Sequence, residues 1–275
     1  ASMGWKVGDR IGIAPTTHGS DGTGQTFTIA SILGNNTIQL SHTNPLDQIH
    51  EATFLNGGAG GDHGAPPILK SAEVVNLSRN IIITGDDFEH VPCDASIVSS
   101  GETSSMGCKC SATRTTCTLG LHTIHHSHHD QGGGGGSAPG SMKISGTRVE
   151  KCGQRGIEGK YCLHFHLARD CPSCVFENNA VEYGHHRGIT VHGSHRTTVR
   201  GNVVWDVRGA NVYIEDGNEM HNEISYNVAV CPHSLSDPIL QGCSIPGTSN
   251  AGSDAPNAAN HSWLPWNKRR HLVHH

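Results

Sequence analysis

No stretch of the 275-residue sequence approaches about 18 uninterrupted apolar residues, so no segment reads as a membrane-spanning helix. Cations are scarce: Lys and Arg total 19 against 24 Asp and Glu, a formal net charge of −5 with histidine neutral. The basic stripe of a nucleic-acid-binding surface is missing, the one cationic cluster being Lys268-Arg269-Arg270. No segment of about ten residues carries a helical apolar period, so helix content is predicted to be low. Apolar residues make up 35% of the chain while glycine reaches 35 residues, a pairing that suits a thin, turn-rich β structure with a narrow core. A signal peptide is also missing, and the abrupt opening at Gly4-Trp5-Lys6-Val7-Gly8-Asp9 leads us to expect a piece of a longer protein.

What is present is repetition. Leu163-His164-Phe165-His166, Thr190-Val191-His192-Gly193 and Tyr213-Ile214-Glu215-Asp216 resemble one strand position revisited on consecutive turns. With Phe165, Val191 and Ile214 aligned, His166, His192 and Glu215 align one residue later, at steps of 26 and 23 residues (192 − 166 and 215 − 192). Asn179, Asn202 and Asn227 recur at steps of 23 and 25, followed by Ala180, Val203 and Val228. A period in the low twenties with a small strand motif per turn predicts an all-β fold, a right-handed parallel β-helix or solenoid with disulfide-rich loop insertions. If Phe165, Val191 and Ile214 face inward, strand alternation turns the flanking column outward. Turns about 4.8 Å apart then stack two imidazoles and a carboxylate on the surface. The three asparagines are expected to form a structural ladder, since Asn tolerates tight corners and its amides can bond from turn to turn.

The candidate metal ligands are therefore His164, His166, His192 and Glu215, a donor set suited to zinc or another transition metal that could polarise a glycosidic oxygen. The alternative is a purely structural polar ladder. Asp170 and Asp216 are the candidate catalytic carboxylates, although strand spacing puts them roughly 10 Å apart along the axis, near or above the inverting limit. Together with Glu215 and Glu219 they could instead bind calcium. A further His tract, His122, His125, His126, His128 and His129 with Asp130, reads either as a metal-binding tract or as a polar excursion pinned by disulfides. The run Gly132 to Gly136 lacks the following Lys and Ser/Thr of a phosphate loop. Trp263 and Trp266 could stack on sugar rings, whereas Trp5 and Trp205 suit packing.

Ten cysteines argue for an oxidising compartment and make Cys93, Cys108, Cys110, Cys117, Cys152, Cys162, Cys171, Cys174, Cys231 and Cys243 disulfide candidates, with pairing open. Cys171-Pro-Ser-Cys174 has the spacing of a redox pair or half a zinc site, and a structural disulfide is preferred because no helix starts there. Sequons at Asn35, Asn76 and Asn260 agree with secretion to the extracellular space or cell surface.

Trp5-Lys6-Val7-Gly8-Asp9-Arg10-Ile11, Leu46 with His50, and Glu73-Val74-Val75-Asn76-Leu77-Ser78-Arg79-Asn80-Ile81 resemble the closing half of an eight-glycine domain. His164-Phe165-His166-Leu167-Ala168 with Asp170, Val191-His192-Gly193-Ser194, and Glu215-Asp216-Gly217 with Glu219 and Asn222 are similar to the β-helix repeats that follow it in the same family. That family includes fibrocystin, the cell-migration-inducing hyaluronan-binding protein and the transmembrane cell-surface hyaluronidase. The resemblance implies residues 1–92 as the end of the eight-glycine-type domain, 93–141 as a Cys/His/Gly-rich insertion, 142–230 as β-helix repeats and 231–275 as an irregular tail. It also implies glycan binding, with cleavage of hyaluronan attributed to some members. Ala210 stands where the family carries His, and Cys171 and Cys174 occupy a shortened loop. The expectation is an extracellular, glycosylated module that binds polysaccharide or builds an assembly by self-association. The alternative is a metal-assisted, hyaluronidase-like glycoside hydrolase. The implied cofactor is a divalent metal, whether zinc, copper or calcium, and neither a nucleic-acid partner nor a membrane span is expected.

Overall fold

The computed structural model describes residues 4–16, 23–34, 37–41, 50–55, 68–85, 91–92, 116–117, 120–127, 140–154, 159–207 and 209–232. Cys93, Cys108, Cys110, Cys243, Asn35, Asn260, His128, His129, Asp130, Gly132 to Gly136, Trp263 and Trp266 lie outside the described residues. All regular structure among the described residues is strand, and the chain divides into two compact units, with boundaries after Ser78 and after Val230.

The first unit holds β1 (Arg10–Ile13), β2 (Gln25–Gly34), β3 (Thr37–Leu40), β4 (Thr53–Leu55), β5 (Ile68–Lys70) and β6 (Val74–Asn76). β1 is central, antiparallel to both β2 and β6, and β2 continues to β3. Ile11, Ile13, Phe27 and Ile29 are its core, as the alternation of β1 and β2 requires. The side-chain amide of Asn76, the acceptor nitrogen of its sequon, donates to Asp9 Oδ2 at 2.7 Å, while its Oδ1 accepts from Ser78 N at 2.8 Å.

The second unit holds β7 (Ile81–Thr84), β8 (Val91–Pro92), β9 (Thr116–Cys117), β10 (His125–His126), β11 (Lys143–Ser145), β12 (Thr147–Cys152), β13 (Leu163–Asp170), β14 (Val175–Glu177), β15 (Ala180–Gly184), β16 (Ile189–His195), β17 (Thr198–Arg200), β18 (Val203–Val207), β19 (Val212–Ile214), β20 (Glu223–Ser225) and β21 (Val228–Val230). Apart from the short antiparallel pair β8–β9, these strands form three parallel sheets, ordered β10-β13-β16-β19, β11-β14-β17-β20 and β21-β18-β15-β12-β7. Each turn contributes one strand to each sheet, which makes this unit a parallel β-helix. Parallel stacking is present from β7 and β10 onward, in residues that precede the segment 142–230.

The inward columns are those the period implies. Phe165 pairs with Val191 and Val191 with Ile214. Phe176 pairs with Val199 and Val199 with Ile224. Val149, Val181, Val204 and Ala229 form the third column. Phe165 and Phe176 stack face to face across the core with ring centroids 3.8 Å apart. Cys152 is bonded to Cys162 and Cys171 to Cys174, and Cys231 is disulfide-bonded as well.

One corner of every turn is built the same way. Gly146, Asn178, Gly201 and Tyr226 take left-handed φ values of 66°, 55°, 65° and 54°, and Thr147, Asn179, Asn202 and Asn227 follow them. Asn202 Oδ1 accepts from the main-chain N and the side-chain amide of Asn179, both at 3.0 Å; Asn227 Oδ1 accepts the same pair from Asn202 at 2.9 Å. The buried amides satisfy the corner N–H groups that no strand partner reaches.

Candidate functional site

The sheet β10-β13-β16-β19 brings four imidazoles together. His166 pairs with His192 on β16, and His126 on β10 pairs with His166 from the other side. His164, two residues before His166, projects to the same side of β13. The His166 and His192 rings meet edge to face at 4.8 Å, with their Nδ1 atoms 3.0 Å apart. His164 lies edge-on to His166 at 4.9 Å and parallel to His192 at 6.2 Å. One ring nitrogen from each of His164, His166 and His192 falls within 4.8 Å of the others. His126 lies beyond them, its ring tilted by 33° to that of His166 and 5.2 Å from it.

The column is less exposed than period-two alternation implies. His164 is completely buried, because the Gly159–Cys162 turn folds over the start of β13 and Gly159 O bonds its Nδ1 at 3.0 Å. Its Nε2 is buried without a hydrogen-bond partner. His166 and His192 are half-buried. Burial away from water pushes the His164 imidazole down to about 3. The same effect, aided by His192 and His126, brings His166 to about 4. Both are therefore neutral near pH 7 and present lone pairs.

Glu215 follows β19 and is held from behind. Tyr161 Oη and Arg187 Nη1 each donate to Glu215 Oε1 at 3.2 Å, and Arg187 Nη1 also donates to Tyr161 Oη at 2.5 Å. The guanidinium lies 3.8 Å from the Tyr213 ring centre and 4.8 Å from that of Tyr161. Glu215 is only 6% exposed, so one oxygen is saturated in a dry setting. The other, Oε2, has no hydrogen-bond partner and lies 3.6 Å from His192 Nδ1. Asp216 is more open, its Oδ2 3.3 Å from His192 Nε2. Glu219 Oε1 accepts from Gly193 N at 2.9 Å and Asp216 N at 3.1 Å, which fixes the turn after Glu215. Burial opposes ionisation of Glu219, yet those main-chain donors bring its carboxyl below the ordinary range.

The candidate carboxylates are separated. Asp216 sits beside His192, whereas Asp170 ends β13 four residues past His166, in register with His195 after a one-residue shift at left-handed Leu167 and Arg169. There Asp170 forms a bidentate pair with exposed Arg196, whose hydrogen bonds hold its carboxyl below the usual range. Asp170 is thereby engaged by Arg196, while Asp216 stands beside His192.

Motif reading misses Tyr161 and Arg187 and places His126 only in the His tract, not in the column. The first two could have been found by extending the register two residues ahead of the aligned strands, since Tyr161 and Arg187 are themselves 26 residues apart. His126 is the same column read one turn earlier.

The fold and this column define a parallel β-helix protein with a histidine-rich, carboxylate-flanked site on one sheet. Residues 135–261 match the CEMIP beta-helix family. It is similar to human fibrocystin-L, 30% identical over 236 residues that cover 82% of this chain and 5% of that protein. Protein rliB of Dictyostelium discoideum is 28% identical over 243 residues, 88% of this chain and 17% of its own length. A G8 domain-containing protein of the same organism is 36% identical over 99 residues, 36% of this chain and 9% of that protein. The chain thus spans between 5% and 17% of the length of these relatives. No helix among the described residues is long and apolar enough to cross a membrane.

Proposed function

We propose that the protein is an extracellular β-helix module that holds a divalent transition metal at His164, His166 and His192, with Glu215 beside it, and binds polysaccharide through that loaded site. The observation that carries this reading is the convergence of three imidazole nitrogens within 4.8 Å, one of them a buried His164 Nε2 with no partner. Nitrogen donors suit zinc or copper and not calcium, which takes oxygen ligands. Extracellular placement rests on the disulfides Cys152–Cys162 and Cys171–Cys174. Polysaccharide as the ligand class rests on the family resemblance and on the partly open edge at His192 and Asp216, which are 21% and 42% exposed.

A second reading, cleavage of the bound chain, is favoured by Asp216 standing against His192 with a solvent-reachable carboxylate. In it the metal would supply Lewis acidity to a glycosidic oxygen, while Arg187 and Tyr161 orient Glu215 through their hydrogen bonds to Oε1. The test begins with elemental analysis after zinc loading and dialysis. One equivalent in the wild type, lost in His166→Ala and His192→Ala, supports the site; equal content in all three proteins refutes it. Retention of hyaluronan and of neutral glycans is then measured with and without chelator, alongside their size distribution. Chelator-insensitive retention refutes the metal-dependent reading, and unchanged glycan size under every condition retires the cleavage reading.

A further inference from the structure

A second cluster lies inside the coil and shares no residue with the site above. β10 pairs with β13 so that His125 is in register with Phe165, the inward column. Its ring approaches Cys171 and Cys174, which are 1% and 0% exposed, and one donor atom from each of the three falls within 4.8 Å of the others. His125 Nε2 is buried without a hydrogen-bond partner. Gly140 closes the group: a Cβ there would stand 3.2 Å from His125 Cε1, and its carbonyl oxygen is 3.6 Å from Cys171 Sγ.

The Cys171–Cys174 disulfide does little that the backbone does not already do. Its sequence separation is 3, against 10 for Cys152–Cys162, so it removes less freedom from the unfolded chain. The turn it spans is already closed by Cys174 N donating to Cys171 O at 3.0 Å. Once reduced, two cysteines at this spacing with an unsatisfied imidazole nitrogen beside them have the donor types and spacing of a zinc-class site.

We propose that Cys171, Cys174 and His125 form a thiol-gated metal site, closed while the disulfide is intact and open to a zinc-class divalent ion once it is reduced. The reductant is a dithiol. It transfers two electrons and two protons, the S–S bond breaks to give two thiols, and the dithiol leaves as its own cyclic disulfide. The ion then displaces both thiol protons to solvent and forms two metal–sulfur bonds, about 2.3 Å each for zinc, and one bond to His125 Nε2. Water takes the fourth position of the tetrahedron. Two thiolates and an imidazole favour zinc, cobalt or cadmium over oxygen-seeking ions.

The test uses the full chain, reduced with a dithiol under anaerobic conditions and freed of excess reductant, with cobalt as the probe. Thiolate-to-cobalt charge-transfer absorption is compared between wild type, Cys171→Ser/Cys174→Ser and His125→Ala. The expected result is one thiolate-bound equivalent in the reduced wild type that is missing from the oxidised wild type and from the double variant. His125→Ala should weaken it about tenfold or more. In parallel, zinc should slow alkylation of Cys171 and Cys174 in the reduced wild type, read peptide by peptide, a measurement that needs no variant to fold. Equal alkylation of both cysteines with and without zinc overturns the proposal, as does a cobalt spectrum that the double variant reproduces.

Discussion

Arg187→Met removes the cation that compensates Glu215, and the structure sets the size of the effect. Arg187 and Glu215 side chains are 4% and 6% exposed and 3.2 Å apart. The same guanidinium nitrogen donates to Tyr161, and the plane of the group rests on Tyr213. Breaking a buried pair by removing one partner costs about 3–5 kcal/mol, most of it from the charge left behind. Adding Glu215→Gln removes that charge, so the double variant should regain about 2 kcal/mol relative to Arg187→Met alone. Arg187→Lys should recover only part of the loss, because an ammonium neither stacks flat on Tyr213 nor reproduces the planar donor geometry. Urea unfolding of the wild type, the two single variants and the double variant closes the cycle, and zinc content of each reports on the imidazole site. Additivity within about 0.5 kcal/mol would refute the coupling. An unchanged zinc affinity in Arg187→Met would show that Glu215 and its supports play no part in holding the ion.

The remaining predictions concern the ladder, the imidazoles and Asp170. Asn202→Ala leaves the Asn179 main-chain N–H buried without its acceptor and deprives Phe176 O of a donor, so urea unfolding should show a loss of about 2–4 kcal/mol. His164 and His166 are held down to about 3 and about 4 when folded but protonate near 6.5 when unfolded, so the unfolded chain binds more protons between those values. Stability of the metal-free protein should therefore fall as pH drops below about 6.5, with His164 accounting for about 3 kcal/mol by pH 4.5. A His164→Gln variant whose stability shows the same slope would contradict this. Asp170→Asn should leave zinc content and glycan retention unchanged, and loss of either would mean that the Arg196 pair reaches the site.

The repeat was legible because a parallel β-helix writes its geometry directly into the chain. Residues one turn apart must be alike where they stack in a core one side chain wide. That constraint exposed Phe165, Val191 and Ile214 as one column and Asn179, Asn202 and Asn227 as another, and the structure stacks both. His166 beside His192 follows from the same register. Asp170 shows where the method runs out: spacing puts it beyond a strand end two turns from Asp216, whereas β13 runs on to Asp170 and the side chain pairs with Arg196.

The sequence by itself determined the winding, the inward columns and which imidazoles share a strand face, since each depends on spacing and on period-two alternation alone. Only the tertiary structure decided what covers that face. The turns that begin the strands fold back over His164 and bring Tyr161 and Arg187 behind Glu215, and β10 lays His125 inside the coil and His126 on the column. The physical reason is that alternation sets the direction of a side chain and says nothing of its surroundings. Dryness, charge pairing and orphaned nitrogen atoms arise from segments whose positions no local pattern specifies.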